Sequence, residues 1–123
     1  MSNSRQRFGK SGEETVAGYL EKIGYKILIK NYRCKLGEID IIARDESVLV
    51  FIEVKTRSGL DFGSPAAAVN ARKQRQISRA AQCYLAEQQL FDSPARFDVI
   101  SVLRGNANHL EIDHINDAFE LCE

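Results

Sequence analysis

Apolar residues recur at helical spacing near the start of the chain. Val16 and Leu20 lie on one face of the helix that this spacing predicts, and Gly24 is a natural stop. Ser11 and Glu14, three residues apart, fit a capping box. We therefore expect a first helix that begins near Ser11, preceded by a polar, basic and flexible segment over residues 1–10.

A second helical pattern follows the middle of the chain. Asn70 is a suitable N-cap for a helix that runs to about Leu90. Gly59–Gly63 is predicted as a loop, and Ser64-Pro65 fits the start of a short helical stretch. The residues expected to face inward from the longer helix are Ile77, Ala80, Ala81, Tyr84 and Leu85.

Short β-prone runs separate and follow these helices. We predict a tight turn at Asp45-Glu46-Ser47, a polar connection over Asn31–Leu36 and a final helical turn over Asp117–Leu121. The expected strands are Tyr25–Ile29, Glu38–Arg44, Val48–Thr56, Phe97–Leu103 and His109–Ile115. The order of one helix, three strands, one helix and two strands predicts an α/β fold, with helices on a mixed sheet of about five strands.

Length and composition narrow the class of protein. The 123 residues fit a single domain, and 44% hydrophobic with 28% charged residues is an ordinary globular balance. There is neither an apolar run of membrane-spanning length nor a secretory signal, so we expect a cytoplasmic protein. Cys34, Cys83 and Cys122 are odd in number and form no CxxC pair, which indicates reduced thiols without a disulfide framework or zinc site.

The zero net charge conceals an uneven distribution along the chain. Residues 1–79 contain 15 Lys and Arg against 9 Asp and Glu, whereas residues 80–123 contain 2 against 8. A basic surface on the first part is compatible with a nucleic-acid partner, because binding follows local patches. An uneven solvated surface explains the same counts.

The third predicted strand has an acid and a base in an apolar context. Side chains alternate along a strand, so Glu53 and Lys55 share a face with Phe51 and Arg57. The opposite face is apolar and belongs in the core; it consists of Val50, Ile52 and Val54. Glu53 and Lys55 are therefore expected to be partly desolvated.

The preceding strand supplies a second acid. A four-residue loop over 45–48 would place Asp40 directly opposite Glu53, and a two-residue loop would place it on the diagonal. Two such carboxylates repel unless a cation or proton intervenes, and Mg²⁺ is a natural candidate. Lys55 could then orient a water molecule. The alternative is a cross-strand ladder of ion pairs without catalysis.

The two helices add further candidates. Glu13 extends the inward stripe of the first helix, whereas Glu14 faces outward; a favourable charge at a helix N-terminus explains Glu13 equally well. Lys73 lies four residues before Ile77 on the inward stripe, and a snorkelling lysine is the alternative. Basic residues that could contact phosphates, or simply be solvated, surround Lys73: Arg72, Arg75 and Arg79.

These residues resemble the PD-(D/E)xK nuclease superfamily, and more closely the YraN family of small bacterial predicted endonucleases, which is related in fold to Holliday junction resolvases. Asp40 matches the first acid of the superfamily motif, Glu53 and Lys55 match E-x-K, and Glu13 matches the helix glutamate. The other matching segments are Gly9-x-x-Gly12, Tyr19-Leu20, Gly24-Tyr25, Asn31-Tyr32-Arg33, Gly37-Glu38-Ile39, Phe51, Val54, Arg57, Lys73 and Arg96-Phe97-Asp98-Val99.

The resemblance implies a restriction-endonuclease-like core and cleavage of DNA phosphodiester bonds with Mg²⁺ or Mn²⁺. It makes Asp40, Glu53 and Glu13 the metal ligands and Lys55 a catalytic residue. It also implies DNA, branched or junction DNA included, as the partner and a homodimer as one possible state. Second-tier contacts to DNA would come from Glu38, Arg57, Arg72, Arg75 and Lys73. The alternative function is a non-catalytic nucleic-acid-binding or assembly module that retains the fold.

Overall fold

A computed structural model describes residues 4–58, 69–104 and 110–121. The elements follow the predicted order and are α1 (Ser4–Lys22), β1 (Lys26–Cys34), β2 (Gly37–Asp45), β3 (Val48–Ser58), α2 (Ala71–Glu87), β4 (Ala95–Arg104) and β5 (Leu110–Phe119). The loop predicted at Gly59–Gly63 and the short helical stretch at Ser64-Pro65 lie outside the described residues.

The five strands form one mixed sheet in the order β1-β2-β3-β4-β5. β3 and β4 are parallel, and the other neighbouring strands are antiparallel. A parallel pair needs a crossover connection, and α2 lies within it. The sheet is consistent with a restriction-endonuclease-like core, so the predicted α/β class is confirmed.

Each face of the sheet packs against one helix. α1 buries Val16 and Leu20 against the face that contains Val50 and Ile52. α2 buries Ile77, Ala80, Ala81 and Tyr84 against the opposite face, which contains Phe51, Phe97 and Val99. The side chains of β3 therefore alternate between the two helices, as its sequence predicts.

The sequence predicts the C-terminal end of α1 correctly but not its N-terminal end. At the C-terminal end, Gly24 has a φ of 97°, and Tyr25 N–H donates to the Leu20 carbonyl at 2.9 Å, which is a Schellman motif. At the other end the helix begins at Ser4, so Ser11 lies inside it and the predicted capping box with Glu14 is wrong. The residues before Ser11 include Arg, Gln and Lys, which are good helix formers and extend the helix past a residue that locally resembles a cap. Flexibility of residues 1–10 stays a prediction.

α2 begins where the sequence predicts. The side chain of Asn70 accepts a hydrogen bond from the backbone N–H of Lys73 at 2.9 Å, which satisfies an otherwise unpaired helical donor. The helix ends at Glu87, three residues before the predicted end at Leu90. Its N-cap fixes the position of Lys73 in the first turn.

Two predicted strand ends are wrong. β1 continues through most of the predicted connection, because Tyr32 and Arg33 pair with Ile39 and Glu38 of β2. β5 extends into the predicted helical turn as far as Phe119, and the ring of this residue stacks on Phe97 with centroids 4.8 Å apart. Both are edge strands, which pair with a neighbouring strand on one side only. Polar side chains are therefore tolerated along them.

Candidate active site

β2 and β3 separate next to Asp40. Their turn consists of Glu46 and Ser47, and the ladder runs from Asp45–Val48 to Ile41–Ile52. Asp40 and Glu53 are next in this register and would lie directly opposite each other. The sequence prediction assigns this position to a four-residue loop over 45–48, and the observed two-residue turn has the same centre, so the predicted diagonal position for a two-residue loop is wrong. The strands no longer pair at this step.

A side chain closes the ladder in place of a backbone carbonyl. The backbone N–H of Val54 donates to Oδ2 of Asp40 at 2.8 Å. The alternation of β2 also breaks here, because Ile39 and Ile42 both pack toward α2 while Ile41 packs toward α1. The Asp40 carboxylate consequently lies in the opening between the two strands.

Glu53 is the buried centre of the site. The residue is 5% exposed, and Oε1 of its side chain lies 3.5 Å from Nζ of Lys55 and 3.6 Å from Nζ of Lys73. β3 supplies Glu53 and Lys55 on the face toward α2, and the first turn of α2 supplies Lys73. The structure thus brings together three residues that the sequence marks as candidates.

Burial and Asp40 shift the ionisation of Glu53. The pKa of Glu53 is raised to about 7: burial is the largest cause, the negative charge of Asp40 adds to the rise, and the charges of Lys73 and Lys55 oppose it. Asp40 is also within hydrogen-bonding reach of the protonated carboxyl. The two acids therefore share a site in which Glu53 binds a proton more readily than an exposed glutamate does.

Glu13 lies beside these acids at the rim of a cleft. Partial burial raises the pKa of Glu13, the charge of Asp40 raises it further and Lys30 lowers it. The cleft has a volume of about 200 Å³ and its lining comprises Glu13, Glu14, Lys30, Asn31, Asp40 and Ile41. Both glutamates are exposed and line the cleft, so the predicted contrast between an inward Glu13 and an outward Glu14 is not observed.

The donor set of Asp40 and Glu53 fits a hard divalent cation. Two neighbouring carboxylates, one of them desolvated, favour a positive charge between them, and Mg²⁺ commonly takes one or two carboxylates with water and phosphate oxygens. Across the three described ranges, no three His, Cys, Asp or Glu residues are grouped so that they could hold a metal ion. Glu13 as a third ligand stays a prediction.

The remaining predicted residues lie outside this centre. Arg72, Arg75 and Arg79 are exposed along α2, and Arg57 is half-buried on β3. Glu38 is exposed and forms an ion pair with Nε of Arg33 at 3.3 Å. These positions stay predictions for contacts to DNA.

Lys30 and Asn31 were missed by the sequence prediction. Lys30 is close enough to affect the ionisation of Glu13, and Asn31 has a φ of 55° beside the opening. The irregular pairing of β1 between Ile27 and Ile29 shifts its register. Alternation read from the sequence therefore does not place them at the cleft.

A second buried polar network was also missed. The Asp98 carboxylate is fully buried and lies 3.0 Å from Nε of Arg96 and 2.7 Å from Nε2 of His114. His114 Nδ1 lies 2.9 Å from the Tyr19 hydroxyl on α1. Arg96 also bonds to Tyr25 and Asp45. An acid inside the apolar β4 was the available signal; Arg96 lies on the same strand, but His114 and Tyr19 come from other elements.

The sequence of this chain was compared with those of known protein families. The model of the uncharacterised protein family UPF0102 matches residues 12–102. The chain belongs to this family. The UPF0102 assignment confirms the resemblance to the YraN family.

Relatives in UPF0102 extend over nearly the whole chain. A UPF0102 protein of Geotalea daltonii is 50% identical over 98% of this chain and 94% of the relative. One from Geobacter metallireducens is 50% identical over 99% of both. A relative from Caldicellulosiruptor saccharolyticus is 44% identical over 94% of this chain and 99% of its own.

The length and hydrophobicity of the two helices bear on membrane insertion. In the parts of the chain that the structure describes, neither is long and apolar enough to cross a membrane.

Proposed function

We propose that this protein is a metal-dependent endonuclease that hydrolyses DNA phosphodiester bonds, branched DNA included. The observation that supports the proposal is the buried Glu53 beside Asp40, with Lys55 and Lys73 on one of its oxygens. Paired acids beside an ammonium group at an open cleft suit hydrolysis of a phosphodiester, where charge develops on the phosphate.

Asp40 and Glu53 would hold the divalent cation. When bound, the cation neutralises phosphate oxygens and polarises water. Lys55 orients the attacking water in line with the phosphorus, and its charge offsets the charge that develops there. Lys73 keeps Glu53 oriented toward the opening and adds positive charge where the phosphate enters.

A non-catalytic nucleic-acid-binding module is the second candidate. One observation favours it: two lysines already compensate Glu53, so the group is a complete ion-pair cluster without metal. This candidate predicts affinity for DNA without turnover.

Nicking of supercoiled DNA separates the two functions. Purified protein is incubated with supercoiled, linear, flapped and four-way DNA in Mg²⁺, Mn²⁺ or EDTA, with Glu53→Gln as the matched control. The proposal expects metal-dependent cleavage that Glu53→Gln loses. Retained DNA binding without cleavage of any of these DNAs would favour the binding module, and equal cleavage by Glu53→Gln would contradict the assignment of this site as the catalytic centre.

A further inference from the structure

The end of β1 lies directly on α2. Gly37, which pairs with Cys34, is so close to the helix that a Cβ atom built on it would lie 3.0 Å from the Gln76 carbonyl oxygen. On the same face of β1 as Cys34, the Tyr32 ring packs edge-on against Tyr84, with centroids 5.5 Å apart. Cys34 therefore lies over the helix surface between these two contacts.

Cys83 reaches this surface from α2. Its Sγ lies 3.5 Å from Oε1 of Glu87, and its side chain also interacts with Tyr32 and Cys34. Both cysteines are free thiols and half-buried. The fold therefore brings two half-buried thiols that are far apart in the sequence to the same surface of α2.

Tyr32 provides a hydrogen-bond donor beside the sulfur. Its hydroxyl is buried and forms no hydrogen bond with any described residue within the usual limits, and Cys83 and Glu87 are among its polar neighbours. The Tyr32 hydroxyl favours a thiolate at Cys83, but Cys34, partial burial and Glu87 together outweigh it and raise the pKa of Cys83. The thiolate is the form that reacts with oxidants.

We propose that Cys34 and Cys83 are a redox-active dithiol that a hydroperoxide oxidises to an intramolecular disulfide. The Cys83 thiolate attacks one peroxide oxygen, the O–O bond breaks, and a sulfenic acid forms with release of hydroxide, which takes up the thiol proton as water. Cys34 sulfur then attacks the sulfenic sulfur and a second water leaves. Two thiols lose two electrons and two protons, and hydrogen peroxide becomes two waters. This inference does not rest on the proposed function.

Peptide mapping of the full chain tests the proposal. A Cys122→Ser variant is reduced, treated with hydrogen peroxide, and measured by thiol titration, intact mass and non-reducing peptide mapping. We expect the two thiols to disappear together, the mass to fall by two hydrogen atoms, and a cross-linked Cys34–Cys83 peptide that dithiothreitol removes. Cys34→Ser and Cys83→Ser in the same background should each give no monomeric disulfide.

Other products would overturn the proposal. These are oxygen adducts on both cysteines without a cross-linked peptide, or a disulfide that joins two chains on a non-reducing gel. If Cys122→Ser does not fold, as judged by circular dichroism, the wild-type chain is mapped in the same way. A bridge from either thiol to Cys122 in place of the Cys34–Cys83 bridge would then contradict the assignment.

Discussion

Lys73 and Glu53 join α2 to the sheet by an ion pair of 3.6 Å. Glu53 is buried, and its second lysine, Lys55, comes from its own strand. The helix therefore supplies a positive charge that β3 alone could not place on this side of the acid. The electrostatics of the site depend on how α2 is docked as well as on the E-x-K strand.

Stability should fall as pH rises through the ionisation of Glu53. Its pKa rises from 4.5 to about 7 on burial, so the folded state binds more protons than the unfolded state between these values. Glu53→Gln removes this term and should be more stable than wild type at pH 8, by up to about 3 kcal/mol. Urea denaturation at pH 5 and pH 8 measures the difference. The exposed Glu38→Gln should leave the wild-type pH dependence in place, and an equal slope in Glu53→Gln would contradict the assignment.

Loss of Asp40, Glu53 or Lys55 should remove cleavage while the fold persists. We expect rates to fall more than about 100-fold for Asp40→Asn, Glu53→Gln and Lys55→Ala. Asp40→Asn is preferred to alanine, because an amide oxygen can still accept the Val54 N–H. Nicking rates and circular dichroism are compared side by side. Undiminished cleavage by the purified triple variant would contradict the catalytic assignment.

Glu13 should matter more than Glu14 at low metal concentration. Partial burial and the charge of Asp40 both raise the pKa of Glu13, so the acid is electrostatically linked to the proposed centre. Glu13→Gln should weaken cleavage most at low Mg²⁺, and Glu14→Gln should leave it nearly unchanged. Because Glu14 lies inside α1, its substitution should change the free energy of unfolding by less than about 0.5 kcal/mol. The measurement is a Mg²⁺ titration of rate; the opposite ranking would mean that Glu14 is the residue linked to the centre.

DNA affinity should depend on the exposed arginines of α2. Each phosphate neutralised contributes about −0.9 to the slope of log affinity against log salt on duplex DNA. Removing the charges of Arg72, Arg75 and Arg79 should therefore flatten this slope, measured by fluorescence anisotropy with the Glu53→Gln variant. A control with the same loss of charge replaces Lys22, Lys26 and Arg44, exposed residues outside α2. Equal slopes for both triple variants would indicate that these arginines of α2 do not contact DNA.

The buried Asp98 should stabilise the fold without affecting chemistry. Burial alone would raise the pKa of Asp98, but hydrogen bonds with His114 and Arg96 outweigh it and lower the pKa below 3.8. Its stabilisation is therefore complete above pH 3.8 and lost as pH falls through the lower folded value. Asp98→Asn should cost about 3–5 kcal/mol in urea denaturation at pH 7, because Arg96 loses a buried partner. The exposed Asp113→Asn is the control, and equal stability of the two variants would contradict this role.

The sequence predicted the order of elements because apolar alternation and helical spacing are strong in the central segments. It failed at Ser11 and at the ends of β1 and β5. A serine inside a helix resembles a cap locally, and edge-strand pairing is decided by partners distant in sequence. For the site, strand alternation together with an even-numbered turn predicted that Asp40 and Glu53 lie close together.

Other parts of the site needed tertiary structure. Lys30 depends on a register shift in β1, and the contact of Asp98 with His114 joins two strands while Tyr19 comes from α1. The placement of Cys34 and Cys83 on one surface depends on the docking of a strand end on α2. Local sequence patterns do not specify contacts between residues that are far apart in the sequence.

The hydrogen bond from Val54 N–H to Asp40 makes one backbone amide a natural spectroscopic reporter. An amide proton shifts and exchanges with solvent according to the charge on its acceptor, and here the acceptor is a carboxylate of the proposed centre. In a ¹⁵N-labelled sample, the Val54 resonance should therefore follow any change in the charge or ligation of Asp40. The state of the acid could be read in the intact, unsubstituted protein, before any turnover is observed.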